Sequence, residues 1–224
     1  MGTATSGLLV PVATKLITRP ASSDDEGVII GLIEGASSWL RGMDTDQWTK
    51  PWPDRETRDE RIRNGIRLRH TWIVWDGEAP AATVTVDPCP DVGIWPPSED
   101  VPAVYLHRLV VSRAYAGINL GGVLIDWAAQ REARSREVTW VRVDVWRTNM
   151  GLHAYYERRG FSRSGTCTDP AYPAGALFQK DVRESLKTNT SLLVEEAVDA
   201  QEVITLGRRR APFASNWDSI APTA

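Results

Sequence analysis

One stretch of the chain, residues 105–161, alternates strand and helix patterns around a cluster of glycines. Residues 105–111 are apolar and rich in β-branched side chains, which predicts a strand. From Leu120 onwards, apolar residues recur at helical spacing. Three glycines, Gly117, Gly121 and Gly122, stand where the strand should turn into the helix. A segment of this kind folds as strand, tight turn and helix, with the first turn of the helix open to a ligand.

The N-terminus of that helix is a candidate phosphate site, because its unpaired N–H groups and the helix dipole both attract anions. The glycines alone do not decide this, since they also close ordinary strand-to-helix connections. The next segment narrows the choice: residues 141–145 alternate apolar and polar side chains, which predicts a second strand. After it come an asparagine, a helix with two adjacent tyrosines and a glycine–phenylalanine pair: Asn149, Tyr155, Tyr156, Gly160 and Phe161.

In this order the residues resemble the GNAT superfamily of acyl-CoA-dependent N-acyltransferases. The family's fourth strand ends in an apolar triplet, which corresponds here to Leu109, Val110 and Val111. A pyrophosphate loop of the form Arg/Gln-x-x-Gly-x-Gly/Ala follows, and after the next strand come Asn, a Tyr seven residues on, and Gly-Phe. The residues at those offsets are Asn149, Tyr156, Gly160 and Phe161. The resemblance is specific over residues 105–161 and weaker over residues 16–182.

The resemblance implies an α/β fold, in which helices flank a central, mixed and twisted sheet of about seven strands. Reading along the chain gives the order β-α-α-β-β-β-α-β-α-β-β, with a hairpin around Asp76-Gly77. We expect a flexible leader over residues 1–14 and a GNAT acyltransferase domain over residues 15–183. A C-terminal extension of unknown role covers residues 184–224.

The resemblance also implies acetyl-CoA, or another acyl-CoA, as co-substrate. In the family the pantetheine arm runs beside the fourth strand and pairs with its backbone, so that the Val111 N–H would face the thioester carbonyl. The implied co-substrate-binding residues are Leu109, Val110, Val111, Ala116, Gly117, Asn119, Gly121, Gly122, Asn149 and Tyr156.

The loop departs from the family pattern at two places. Ala116 stands where Arg or Gln is usual, and Asn119 stands where the second Gly is usual. Asparagine is the residue other than glycine that best accepts a positive φ, so the turn still forms. We therefore expect CoA binding to survive in weakened form, although the departures leave room for a different acyl donor.

Two residues are candidates for moving protons. Tyr156 occupies the position of the family's general acid. It suits that role because a phenol with a pKa of ~10 is protonated at neutral pH and can donate a proton to a departing thiolate. Its neighbour Tyr155 is then a packing residue. His107 is the candidate base, since its ordinary pKa of ~6.5 suits proton removal and its spacing from Leu109 predicts that both face one side of the strand. His107 also resembles the strand histidine of arylalkylamine N-acetyltransferases; the alternatives are a structural histidine beneath the sheet, or a water chain that needs no base.

The sequence signals for residues that bind the acceptor are less specific than those for the co-substrate. Four tryptophans fall in segments that line the acceptor site in the family: Trp39, Trp48, Trp52 and Trp95. They are candidates for an aromatic acceptor pocket, although most of the ten tryptophans are expected in the core. Three acidic residues are candidates for attracting a cationic amine, and a solvated loop explains them equally well: Asp44, Asp46 and Asp54.

Composition argues against several other functions. The formal net charge of −3 does not suggest general nucleic-acid binding. Two cysteines and three scattered histidines provide no metal-ligand cluster, and no apolar run approaches the ~20 residues that span a bilayer. We therefore expect a cytoplasmic protein with no metal and no membrane partner. The oligomeric state stays open, a homodimer included.

The sequence thus predicts an N-acetyltransferase that moves an acetyl or other acyl group from acyl-CoA to a primary amine of a small molecule, by direct attack on the thioester. One alternative on the same fold takes its acyl group from aminoacyl-tRNA, and the arginines of residues 55–69 and 208–210 would then contact phosphates. The acids interleaved with residues 55–69 favour a salt-bridged helix instead. The other alternative is a catalytically silent acyl-CoA-binding module.

Overall fold

The computed structural model describes residues 15–91, 93–96 and 101–196. Within them, eight strands form one sheet: β1 Leu16–Pro20, β2 Thr71–Asp76, β3 Ala79–Asp87, β4 Ala103–Val111, β5 Trp140–Val145, β6 Ser162–Thr166, β7 Ala176–Asp181 and β8 Leu193–Glu195. The helices are α1 Glu26–Leu40, α2 Arg55–Arg67, α3 Leu120–Ser135, α4 Met150–Arg158 and α5 Val182–Leu186. None of the helices in these residues is long and apolar enough to cross a membrane.

The sheet is mixed, and its strands lie in the order β6-β7-β5-β4-β3-β2-β1-β8. Neighbours are antiparallel except for β4 with β5 and β1 with β8, which are parallel. Helix α3 connects β4 to β5, because parallel neighbours need a long crossover. The predicted α/β fold and the predicted order of elements are confirmed, and α5 and β8 are added at the end.

The eighth strand comes from the segment that was expected to lie outside the domain. Leu193 in β8 pairs with Leu16 in β1 and is buried in the main core. Residues up to 196 therefore belong to the packed structure, and the expected boundary after residue 183 falls inside α5. The expected leader over residues 1–14 and the rest of the extension, residues 197–224, lie outside the described residues.

Helices cover both faces of the sheet. On one face, α3 and α4 pack against a core of aliphatic and aromatic side chains that includes Leu124 and Phe178. On the other face, α1 and α2 bring Ile29 and Ile62 against Val110 of β4. Each such side chain contributes roughly 1.5–3 kcal/mol on full burial. The helical spacing of these apolar residues is what directs each helix to its face.

The two edges of strand β4 are paired with neighbouring strands over different lengths. Its pairing with β5 covers only three residues, from Ala103 to Tyr105. Its pairing with β3 continues to Val111. Beyond Tyr105 the two parallel strands diverge, so the β5-facing edge of β4 has no strand beside it within the described residues.

A β-bulge interrupts the other edge of β4. Thr85 pairs with His107 and Thr83 pairs with Val110, so β4 has one more residue between the pairs than β3 has. Arg108 lies in the bulge with a φ of 49°, an uncommon conformation for a residue other than glycine. A bulge shifts the alternation of side chains between the two faces of the strand.

Candidate active site

A cleft of about 1010 Å³ opens where β4 and β5 diverge. At one end, here called the α3 end, it is bounded by the N-terminus of α3. At the other, the α2 end, it is bounded by α2 and by the loop between α1 and α2. Side chains of β4, together with Asp144 of β5, line the cleft between these ends.

The α3 end is built from backbone. Gly117 has a φ of 90° and Asn119 a φ of 64°, so the predicted positive φ at Asn119 is confirmed. The Asn119 side chain does not cap α3, which leaves the N–H groups of its first turn for a ligand. A Cβ on Gly121 would lie 2.8 Å from the Tyr155 hydroxyl, too close for any side chain without a shift. Only a glycine keeps this surface open.

Arg159 supplies positive charge where the family's loop arginine is missing. It donates to the Asn119 side-chain oxygen and lies 5.3 Å from the centre of the Tyr155 ring. Both Arg159 and Ala116 line the cleft, whereas Gly122 packs beneath Arg159 and does not. The sequence signal for Arg159 was only its place directly before Gly160.

The apolar triplet of β4 is divided between the two faces of the sheet. Leu109 and Val111 line the cleft, while the Val110 side chain packs in the α1–α2 core. The Ser112 N–H bonds the Ala81 carbonyl at 2.8 Å, on the β3 side. Because hydrogen-bonding direction alternates along an antiparallel strand, the Val111 N–H points to the opposite side, into the cleft.

The expectation that His107 and Leu109 face the same way is wrong. The bulge at Arg108 lies between them and reverses the alternation. His107 therefore lies on the face of Asp144, beside α2, and Leu109 packs against the α3 core. Counting by two along a strand fails wherever an extra residue is inserted.

Tyr156 lies in the wall of the cleft and is only 7% exposed. Its ring packs edge-on against Phe161 at 5.1 Å between centroids. Burial, with the added effect of Tyr155 and Asp144, raises the pKa of Tyr156 further above its ordinary value, so the phenol keeps its proton. Tyr155 instead faces the α3 turn, where its hydroxyl covers Gly121.

His107 belongs to a chain of polar groups. Its Nδ1 lies 3.1 Å from Asp144, and the Tyr172 hydroxyl donates to the same carboxylate at 2.6 Å. Burial opposes the charge on His107, but the Asp144 and Asp91 carboxylates outweigh it and raise the pKa of His107 to about 9. The imidazole is therefore protonated at neutral pH, unlike the free base expected from its ordinary pKa. Its Nε2 is buried without a partner.

Tyr172 was not found from the sequence. It stands in a loop between β6 and β7, more than sixty residues from His107, and nothing in its neighbours marks it. Its ring also packs edge-on against Trp52, 5.0 Å between centroids. Only the folded chain brings these residues together.

The tryptophans have three different environments. Trp48 and Trp52 line the α2 end of the cleft. Trp39 is outside the cleft lining and 41% exposed, with Arg113 stacked 4.2 Å from its ring centre. Trp95 is buried against Tyr105. Two of the expected pocket tryptophans thus lie in the cleft.

The three acidic residues expected to attract an amine do not line the cleft. Asp46 accepts a hydrogen bond from the Trp146 indole at 2.8 Å and another from Thr148. Asp54 caps α2 by accepting from the Thr57 N–H. The carboxylates that do line the cleft are Glu34, Asp87, Asp91 and Asp144.

Asn149 has a structural position. Its side-chain oxygen caps α4 by accepting from the Leu152 N–H at 2.9 Å, and its Nδ2 donates to Gln47 at 2.5 Å. It is outside the cleft lining. In the described part of the chain, no group of three His, Cys, Asp or Glu side chains is arranged to hold a metal ion.

Known proteins agree with this architecture. The sequence profile described as Acetyltransferase (GNAT) family matches residues 38–161. The chain belongs to the GNAT family of acetyltransferases. A curated relative, the uncharacterized N-acetyltransferase YesJ of Bacillus subtilis (strain 168), is 30% identical over 174 residues, which cover 76% of this chain and 93% of YesJ.

Solved GNAT structures have the same fold. An acetyltransferase from Listeria monocytogenes is 25% identical, with a TM-score of 0.61 over 77% of this chain and 98% of the other. The PaiA N-acetyltransferase of Thermoplasma acidophilum, in complex with coenzyme A, is 14% identical (TM-score 0.54; 75% and 99% covered). The aminoglycoside acetyltransferase AAC(6')-Ib, in complex with coenzyme A and kanamycin, is 18% identical (TM-score 0.57; 78% and 99% covered).

In this GNAT domain the arginine-rich helix α2 faces two ways. Arginines at positions 55, 58 and 61 line the α2 end of the cleft. Arg63 lies outside the cleft lining and pairs with Glu26 at 3.1 Å and with Glu60 at 3.0 Å. The salt-bridged helix expected from the interleaved acids is present, and part of its positive charge is turned inward.

Proposed function

We propose that this acetyltransferase moves an acetyl group from acetyl-CoA to a primary amine of a small molecule, by direct attack of the amine on the thioester. The observation that carries the proposal is the open edge of β4. It runs from the α3 turn past Tyr156 to the α2 end of the cleft. A donor lying along that edge would present its acyl group to an acceptor entering from the α2 end.

The residues at the α3 end suit coenzyme A. Backbone N–H groups of the first turn of α3, with Arg159 beside them, favour a pyrophosphate. The cleft-facing N–H of Val111 and its neighbours on β4 offer main-chain partners to the pantetheine arm, as an added strand would use them. The coenzyme A in the PaiA and AAC(6')-Ib structures supports this choice of donor. When bound, acetyl-CoA supplies the activated thioester.

The α2 end suits a small acceptor. Trp48, Trp52 and Tyr172 enclose it with aromatic surface. A concave, partly aromatic cleft of this kind accommodates a small molecule. The kanamycin in the AAC(6')-Ib structure is one small-molecule precedent on this fold.

Protons would move at two side chains. The Tyr156 hydroxyl would transfer a proton to the departing sulfur. The Val111 N–H would donate a hydrogen bond to the oxyanion of the intermediate. In its unprotonated fraction, which grows as pH approaches about 9, His107 would accept the proton that the attacking nitrogen loses as it bonds to the acyl carbon. The enzyme would therefore work best in alkaline solution.

Two measurements test the proposal. Calorimetric titration with CoA should show saturable binding below about 1 mM. Release of free CoA thiol from acetyl-CoA, followed over a panel of primary amines, should then identify an acceptor. Absence of CoA binding at millimolar concentration would overturn the donor and favour aminoacyl-tRNA. CoA binding without turnover of any amine would favour the silent module.

A further inference from the structure

The α2 end of the cleft contains a cation, Arg108, with no anionic partner among the described residues. Arg108 lines it from the bulge of β4, and its Nη2 would lie 3.7 Å from a Cβ placed on Gly65 of α2. Its Nε donates to the Thr85 hydroxyl at 3.3 Å. No carboxylate of a described residue comes within 4.0 Å of this guanidinium.

The nearby carboxylates are engaged elsewhere. Asp144 contacts His107 at 3.1 Å, and Asp87 contacts His70 at 3.4 Å. Neither pairs directly with Arg108, and the Asp144 charge acts on it only at longer range. His107 is itself protonated at neutral pH. The floor of the cleft therefore holds two cations, His107 and Arg108, and the Asp144 carboxylate contacts the first of them.

Of the other two cleft carboxylates, Asp91 attracts the charge on Arg108 without pairing with it, and Glu34 lies 3.8 Å from Arg55 and 4.0 Å from Arg58. Arg55 and Arg58 of α2 line the same end of the cleft, where Glu34 and Asp59 offset part of their charge. Burial lowers the pKa of Arg108, which shows that its charge is poorly solvated. A poorly solvated charge without a partner is costly, and a bound anion would remove that cost.

We propose that the acceptor is an amine that also carries a carboxylate, which the Arg108 guanidinium binds. The inference rests on the proposed function and names the substrate class of the same site. The two Nη groups of Arg108 are the donors left over from the bond to Thr85. A guanidinium presents such donors in a planar fork that matches both oxygens of a carboxylate.

The acceptor is a short molecule. Arg108 and Val111 are three residues apart on one strand, which is at most ~10 Å at ~3.3 Å per residue. The Val111 N–H faces the cleft where the thioester carbonyl would lie, and the Arg108 side chain covers part of the remaining distance. Amine and carboxylate are thus separated by a few bonds, as in a small amino acid.

The first experiment compares amines with carboxylate-bearing counterparts of equal carbon number: propylamine with β-alanine, and butylamine with 4-aminobutyrate. Wild-type kcat/KM should be roughly 10–100-fold higher for the carboxylate-bearing member of each pair, as expected for a hydrogen bond between charged groups. In Arg108→Met this ratio should fall toward one, mainly because KM for the amino acid rises. The matched control, Arg63→Met, removes an arginine outside the cleft and should keep the ratio.

The second experiment measures binding without turnover. 4-Aminobutyrate titrated into the complex with CoA should release heat in the wild type and in Arg63→Met, and not in Arg108→Met. If Arg108→Met does not fold, Arg108→Lys replaces it. Lysine keeps the charge and loses the fork, so the ratio of kcat/KM values should still fall.

The outcomes separate this inference from the function beneath it. Equal kcat/KM within each pair in the wild type would overturn the carboxylate and leave the N-acetyltransferase intact. No turnover of any amine, with CoA still bound, would overturn the proposed function itself. Equal losses for both members of a pair in Arg108→Met would make Arg108 a structural residue. Preference for O-phosphoethanolamine over β-alanine would replace the carboxylate by a phosphate.

Discussion

The two ends of the cleft differ in the groups that line them. The α3 end consists mainly of backbone: a turn with positive φ at Gly117 and Asn119, the first N–H groups of α3, and an open strand edge. The α2 end consists of side chains from distant parts of the chain, among them Arg108 and Tyr172. Backbone sites tolerate changes of side chain, whereas side-chain sites do not.

This difference explains how the loop can depart from its family pattern. Ala116 removes a side chain from the α3 end without removing any N–H group. Asn119 adopts the positive φ that glycine would have. Arg159, from another helix, then restores a charge beside the turn. At the α2 end no comparable exchange is available, because the groups there are side chains, and replacing one removes the group itself.

The largest effect is expected at Tyr156, where the two ends meet. Tyr156→Phe should lower kcat by ~10²–10⁴-fold and leave KM for acetyl-CoA nearly unchanged, because the hydroxyl acts only when the intermediate breaks down. Steady-state kinetics with a confirmed acceptor measures both. The matched control is Tyr155→Phe; a larger kcat loss there would mean that Tyr155 is the acid.

The next effect tests the side-chain chemistry of the α2 end. The acceptor is 2,2,2-trifluoroethylamine, which is uncharged from neutral pH upwards, so that its own protonation does not contribute to the profile. Wild-type kcat/KM should rise with pH to a plateau near pH 9, where His107 loses its proton. His107→Ala should abolish this limb and lower the plateau by roughly 100-fold. Asp144, Asp91 and Arg108 act on the charge of the imidazole in the wild type, and Tyr172 donates to Asp144. A limb that survives in His107→Ala would assign proton removal to water.

Stability gives an independent check on the same pair. Because the folded pKa of His107 is raised, its contribution is fully present below the unfolded pKa of ~6.5 and is lost as pH rises through about 9. The wild-type free energy of unfolding should fall over this window. His107→Gln should flatten the curve there; an unchanged slope would mean that His107 is not charged in the folded protein.

A smaller effect tests the backbone construction of the α3 end. Gly121→Val should weaken CoA binding by roughly tenfold or more, about 1.4 kcal/mol, because its side chain meets the Tyr155 hydroxyl and fills the approach to α3. Ala116→Arg should strengthen binding by less than that. Gly27→Ala, at an open position on α1, is the control. If Ala116→Arg changed the CoA Kd more than Gly121→Val, side chains would dominate this end too.

The smallest effect concerns Asn149, which the family resemblance assigned to the co-substrate. Asn149→Ala should lower stability by ~1 kcal/mol through loss of the α4 cap, a fall of ~2–4 °C in Tm. The CoA Kd should be unchanged within error. A weaker Kd with an unchanged Tm would return Asn149 to the co-substrate site.

Much of the fold could be predicted from the sequence because its signals are local. The period of apolar residues from Leu120 predicted α3, and Asp76-Gly77 predicted the hairpin. β8 was not predicted, because a strand of three residues is too short to show an alternation of apolar and polar side chains. Its place in the sheet comes from pairing with β1, which is a long-range choice.

The sequence by itself determined the order of strands and helices from β1 to β7, the glycine turn with its asparagine, and the position of Tyr156. All three follow from local backbone conformation and spacing. Only the tertiary structure decided that Arg108 forms a bulge, that His107 is charged beside Asp144, and that Asn149 supports a helix rather than the cleft. The physical reason is that burial, charge pairing and strand register depend on residues that are distant along the chain.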